Sequence, residues 1–278
     1  PYDNTGGLST GMALANLSNQ TATVGLDTGL GTATITLPPQ GHTSFMLGER
    51  FPVTSGKAGS VEVKTPVGGQ ISVLGLRANG SALTTIPVIS SDDSISAGSF
   101  AHMTFNGDFE STFYIVRTKT ANPAPVGFAL NFFDEQGSPM SVPLFLPQSG
   151  TSTVTSSLSM TLTDQGPLVV QTKGVKGQPP VVGSAQLTTT SNGIGAFEVF
   201  RWNTFGQEAS VPLETRSPNS FVLVFDNTGD LSTGVAVANV SSVAANITVQ
   251  IRDEAGTLLD SGVINIAPQG HTSFMLPN

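Results

Sequence analysis

The chain has 278 residues, with 11 Lys and Arg against 19 Asp and Glu, for a net charge of −8. That length supports two or three domains. An acidic chain lacks the basic stripe needed to hold nucleic acid or an anionic membrane, so neither is an expected partner. With no cysteine there are no disulfides, zinc–thiolate centres, iron–sulfur clusters or thiol nucleophiles. No apolar run is long enough for a membrane helix, and the segment, which opens on Pro1 without a leader, reads as mature or excised.

The chain repeats itself. Between 2–18 and 225–241, 12 of 17 positions are identical, and Asp3-Asn4-Thr5-Gly6 returns as Asp226-Asn227-Thr228-Gly229. The nine residues 39–47, PQGHTSFML, return unchanged at 268–276. The offset grows from 223 to 229, a difference that a hairpin loop absorbs and a strand interior does not. A diverged middle copy is marked by Phe100–Phe105 with Asn106-Gly107-Asp108, by Asp134–Gly137 and by Pro147-Gln148. Copies are therefore placed at 1–95, 96–217 and 218–278.

In chain order, Val61 and Val63 alternate with polar residues, Ile71–Leu76 leads to Asn79-Gly80, and Leu83–Val88 returns. Asn-Gly between two such runs predicts a β-hairpin with a type I′ turn. Phe128–Phe133, a turn at Asp134–Gly137 and Ser141–Leu146 suggest another. Residues 246–251 put Ile247, Val249 and Ile251 on one face. No window carries a sustained helical period, so little helix is expected. Overlaying the copies predicts eight strands, beginning with Phe221–Phe225 in the third copy. The fold class is all-β: tandem antiparallel β-sandwich modules of immunoglobulin-like type. The blocks DNTGGLSTGMALANLS, PQGHTSFML and GGQISVLGLRANGSALTTIPV resemble a repeat of uncharacterised secreted bacterial β-sandwich proteins. That resemblance implies a secreted location and no particular activity.

The outer copies are incomplete in this reading. The first lacks the strand that Phe221–Phe225 supplies, and the third lacks the strands of Ser60–Val88. An unfinished sandwich exposes core and unpaired edges. Three accounts are open: the chain is cut from a longer one, the ends are completed by strand addition from a neighbour, or the third copy closes as a smaller sheet. Few charges are present to protect edges, which favours assembly, and end-to-end donation would propagate as a filament. The expected interface residues are Pro1, Tyr2 and Asp3 at one end and Phe274, Met275, Leu276, Pro277 and Asn278 at the other.

Chemistry-bearing candidates are sparse. His42 and His271 hold the same place in the repeated nonapeptide with no acid within six residues, and His102 stands alone in a strand; all three read as structural. Asp226 and Asp230 could form a calcium loop, although an Asx turn explains them equally well. Gly7-Leu8-Ser9-Thr10-Gly11 matches a nucleophile elbow in letters, but β-type sequence follows where a helix is required. Lys119 and Asn122 raise a Lys–Asn isopeptide bond on spacing that is not diagnostic. Trp202 ends Phe197–Trp202, where alternation leaves two apolar residues and one charge on each face; packing in the core is favoured over a platform for sugar rings. No catalytic, cofactor or firm metal site is expected. The expected function is a non-catalytic extracellular subunit of a surface fibre, sheath or spacer, partnered by itself or by neighbouring modules. A polysaccharide-binding or adhesive module is the alternative.

Overall fold

Alternating apolar residues and glycine-rich turns give short antiparallel strands throughout. The computed structural model describes residues 1–90, 95–118, 125–163 and 166–276, so Lys119, Asn122, Pro277 and Asn278 lie outside the described residues. The protein is all-β, with 56% strand and 3% helix.

The first unit contains β1 (Tyr2–Asp3), β2 (Leu8–Asn16), β3 (Ala22–Asp27), β4 (Thr32–Leu37) and β5 (His42–Met46). A single helical turn α1 (Leu47–Arg50) follows, then β6 (Ala58–Gly59), β7 (Glu62–Lys64), β8 (Ile71–Asn79) and β9 (Ala82–Ile86). One sheet runs β5-β2-β8-β9, a second β4-β3-β7, and β1 pairs with β6. Alternate residues of the facing strands meet in a core of Tyr2, Met12, Leu14, Val24, Leu26, Leu37, Leu47 and Phe51. The expected missing first strand is thus present as a two-residue stub. Tyr2 pairs with Gly59 and is 1% exposed. The hairpin after β8 forms, but Asn79 pairs with Ala82, so the turn is Gly80-Ser81 and only Gly80 takes a positive φ, of 61°. The turn thus lies one residue later than expected and is not of type I′, which needs a positive φ at both central residues.

The middle unit contains β10 (Ala97–Asn106), β11 (Phe109–Arg117), β12 (Val126–Phe133), β13 (Val142–Leu146), β14 (Thr151–Thr155) and β15 (Ser157–Leu162). It continues with β16 (Leu168–Thr172), β17 (Val181–Thr189), β18 (Ile194–Trp202) and β19 (Gln207–Pro212). These form one ten-stranded sheet in the order β14-β13-β16-β11-β10-β17-β12-β15, with β18 and β19 branching from β11. Because β14 runs straight into β15, the sheet folds over and nearly closes as a barrel around Phe100, Met103, Phe113, Leu130, Phe132, Leu144 and their neighbours. Asn106 pairs with Phe109, so Gly107-Asp108 is the β10–β11 turn, with φ of 58° and 70°. Asp134–Gly137 is a turn as expected, but β12 pairs with β15 and β17 while β13 pairs with β14 and β16. The turn closes only a short hairpin, with Phe133 bridging Pro139 and Met140 N donating to Phe132 O, before β13 departs to pair elsewhere.

The third unit contains β20 (Gly234–Ala238), β21 (Ala245–Arg252), β22 (Leu258–Ile266) and β23 (His271–Met275). They form two separate pairs, β20-β23 and β21-β22. The strand expected at Phe221–Phe225 does not form, and Phe221, Val222, Leu223 and Val224 are 64%, 94%, 64% and 94% exposed. The first unit supplies the reason. Phe225 is the counterpart of Tyr2, whose partner there is Gly59 in β6, and no strand among the described residues pairs with 221–225.

Candidate functional site: the open third unit and its junctions

The repeated blocks persist because they are hydrogen-bonded staples. Asp3 Oδ1 accepts from Thr5 N and Oγ1 at 3.0 and 2.7 Å, and Asp226 Oδ1 accepts from Thr228 N and Oγ1 at 2.9 and 2.7 Å. Asn4 Oδ1 accepts from Thr10 N, and Asn227 Oδ1 from Thr233 N, both at 2.8 Å. The buried Asn16 amide donates to the carbonyls of Gln20, Leu37 and Pro38, and Asn239 donates likewise to Val243, Ile266 and Ala267. The calcium candidate Asp226 is therefore an Asx turn. Hydrogen bonds from Thr228 hold its carboxyl below the usual range. Asp230 is exposed on the same turn, and no cluster of three metal-ligating side chains occurs among the described residues.

These shared staples hold two different halves of a sandwich. In the first unit β2 lies between β5 and β8, and β3 between β4 and β7. In the third, β20 pairs only with β23 and β21 only with β22 among the described residues. Val24 and Leu26 are 0% and 1% exposed, while their counterparts Ile247 and Val249 are only half-buried. The expected interface residues Phe274, Met275 and Leu276 lie in and just after β23, with Met275 60% exposed.

The other expected interface lies inside the chain. Pro1, Tyr2 and Asp3 pack with Arg77, Ile86, Tyr114 and Phe197, between the first and middle units. Arg77 donates from Nη1 to the Tyr114 hydroxyl at 2.8 Å and from Nε to Glu208 Oε2 at 3.1 Å. Asn79 Nδ2 and Arg201 Nη1 both donate to Glu208 Oε1 at 2.6 Å. Burial alone would raise the Glu208 carboxyl, but Arg77, Asn79 and Arg201 together hold it below its ordinary value. Tyr114 stacks on Phe197 at 4.9 Å, and burial raises its hydroxyl pKa. Sequence reasoning missed this lock. Its only local signal was Arg77 as the sole charge in an otherwise apolar run, with its partners 37 and 131 residues away.

The middle and third units meet through the two histidines that looked inert. His102 Nδ1 and His271 Nε2 lie 3.3 Å apart, Gln186 Nε2 donates to Gln269 Oε1, and His271 N donates to the Glu135 carbonyl at 3.2 Å. Burial, and secondarily His102, lowers His271 to about 4. His42, at the same place in the nonapeptide, is exposed. Gly7–Gly11 runs into β2 with no helix after it, and Ser9 pairs with Ala78, so the elbow geometry is not formed.

On β18 the ambiguity of facing is resolved, since both faces are buried at its centre: Phe197, Glu198 and Val199 are 1%, 0% and 1% exposed. Glu198 carries neither carboxylate oxygen in a hydrogen bond, and burial raises it to about 8. Trp202 sits at the rim, half-buried. It stacks on Phe109 at 5.1 Å and meets the exposed Phe205 edge-on at 4.4 Å. Comparison with family models, curated proteins and solved structures found none that matches this chain.

Proposed function

We propose that the protein is a non-catalytic extracellular structural subunit of immunoglobulin-like sandwich units, which builds a surface fibre, sheath or spacer by strand pairing between incomplete units. One observation carries this reading: among the described residues β20 and β21 each have a partner on one side only, and apolar residues of the third unit stand in solvent beside them. Unpaired backbone groups and exposed apolar side chains are both relieved by an added strand. The lock at Arg77 and Glu208 fits the same reading, since it braces the first two units against each other and leaves the third as the open end. Size-exclusion chromatography with negative-stain microscopy tests it. Concentration-dependent assemblies or fibres are expected, and a monodisperse monomer at every concentration removes the proposal.

A second reading is favoured by the aromatic rim. Phe109, Trp202 and Phe205 form a partly exposed cluster beside Asp108, Arg201 and Asn203, an apolar platform with polar edges suited to a sugar ring. Trp202 is the sole tryptophan, so its fluorescence reports on this site directly. Saturable quenching by a polysaccharide supports an adhesive module. Unchanged fluorescence across a panel of glycans removes it.

A further inference from the structure

The repeat presents one sheet face twice. In the first unit Met12, Leu14 and Phe45 enter the core, so alternation turns Gly11, Ala13, Ala15, His42, Ser44 and Met46 to the outer face of β2 and β5. In the third unit Gly234, Ala236, Ala238, His271, Ser273 and Met275 stand in the same register on β20 and β23, and all six are identical. Between β2 and β20 the changes fall on the core side, where Met12 and Leu14 become Val235 and Val237. The third unit uses its outer face as a contact. β20 and β23 lie against β10, β23 also meets β17, and His271 Nε2 sits 3.3 Å from His102 Nδ1. His271 is buried and Ser273 half-buried there, while His42, Ser44 and Met46 are exposed on the first unit.

We propose that the outer face of β2 and β5 is a dimer interface, packed on the same face of a second copy of this chain. It goes beyond strand pairing, since two sheet faces stack and no strand is donated. The duplicate face is already seated on a β-sheet within the chain, which shows what its shape accepts: glycine and two alanines let a second sheet come close. That contact sets a histidine against a histidine, and a second copy supplies the same partner. On a two-fold axis along β5, His42 and Ser44 each meet their own counterpart, as an isologous interface requires. None of the six residues is an acid, lysine or arginine, so two chains of net charge −8 meet here without like charges across the contact. Leu74, opposite Ala13 and 43% exposed, adds apolar surface to the same face. The occupant is not the β10–β17 surface of another copy, because the third unit covers it.

Sedimentation velocity of the full chain over a concentration series, beside Ser44→Arg, tests the proposal. A reversible dimer is expected. Ser44→Arg sets two guanidinium groups against each other across the axis and should weaken the dimer at least about tenfold. Ser44 is exposed in the single chain, so the variant keeps its fold, which circular dichroism verifies. The chain has no cysteine, so Ser44→Cys introduces one thiol that meets its counterpart at the interface. Oxidised glutathione should link it into a dimer faster than it links Val67→Cys, placed at a fully exposed position. A monomer at every concentration, a dimer indifferent to Ser44→Arg, or equal linking of both thiols overturns the proposal. Fibres from a chain whose Ser44→Cys thiol shows no preference would keep strand pairing and remove this face. A Ser44→Arg-sensitive dimer that never grows larger would do the reverse.

Discussion

Residues 39–47 and 268–276 are the same nine amino acids in two environments. In the first unit Leu47 is 0% exposed and His42 faces solvent, whereas in the third Leu276 is only half-buried and His271 is 2% exposed. The two ends of the segment differ in exposure between the copies, while Phe45 and Phe274 are both half-buried and Met46 and Met275 both exposed. Local structure does not cause this, because both copies pair with the preceding strand in the same register, Ala15 with His42 and Ala238 with His271. The surroundings do. In the first copy Leu47 enters the core of its own unit. In the third His271 lies against His102 of β10 and Gln269 against Gln186 of β17. A repeated sequence thus specifies strand, turn and register, while burial is assigned by what lies beyond the repeat.

Core truncation gives the largest expected contrast. Leu14→Ala should cost about 3 kcal/mol, the usual price of a buried leucine. Val237→Ala, at the matching place, should cost less than about 1 kcal/mol, because its side chain already meets solvent. Denaturant titration of both variants checks this, and equal losses would mean that the third unit is closed in solution. Next comes the junction that only the first unit possesses. Glu208→Ala leaves Arg77 without its carboxylate and should destabilise the chain by about 3 kcal/mol. The same titration should show the loss falling on the transition of the first and middle units.

Two titratable groups give opposite pH responses. Glu198 is raised to about 8 from 4.5, so the folded state holds a proton that the unfolded state releases. Its contribution makes the chain less stable as pH rises from about 4.5 to 8. Glu198→Gln should remove that slope and stabilise the protein at pH 9 by about 2 kcal/mol, read from thermal unfolding at several pH values. His271 is lowered to about 4 from 6.5, so the unfolded chain takes up the proton first. Stability at the middle–third junction should therefore fall as pH drops from 6.5 toward 4. Hydrogen exchange at Gly234–Ala238 should speed up several-fold over that range, and His271→Phe should reduce the response to the share of His102, which burial also lowers. His42→Phe, the smallest effect, should leave the exchange unchanged; an equal change from both variants would erase the contrast between the copies.

Much of the fold was legible because the repeat is written in polar turn residues. Asp3, Asn4, Asn16 and Gln40 recur as Asp226, Asn227, Asn239 and Gln269, and each pair makes equivalent hydrogen bonds, so an overlay of copies located strands β20 to β23 to within a few residues. The Phe221–Phe225 strand failed for a reason that local pattern does not contain: an apolar run becomes a strand only where a neighbour supplies backbone partners, and no strand among the described residues lies beside it. The β12–β13 turn was read correctly and its topology was not, because an Asx turn bends the chain identically whether the next strand pairs or crosses. At the candidate sites, Asp226 was readable as a turn from its spacing to Thr228. The Arg77–Glu208 lock and the His102–His271 contact were not, since their members lie 131 and 169 residues apart.

The sequence by itself determined the all-β class, the likeness of 2–18 to 225–241 and of 39–47 to 268–276, and the place of several turns, because these depend on side-chain alternation and on hydrogen bonds between residues near in the chain. Only the tertiary structure decided that the middle unit folds its ten strands into one nearly closed sheet, that Pro1–Asp3 are buried within the chain, and which of two identical histidines meets water. Those outcomes depend on which surfaces come to cover one another, and burial is a property of the neighbour as much as of the residue.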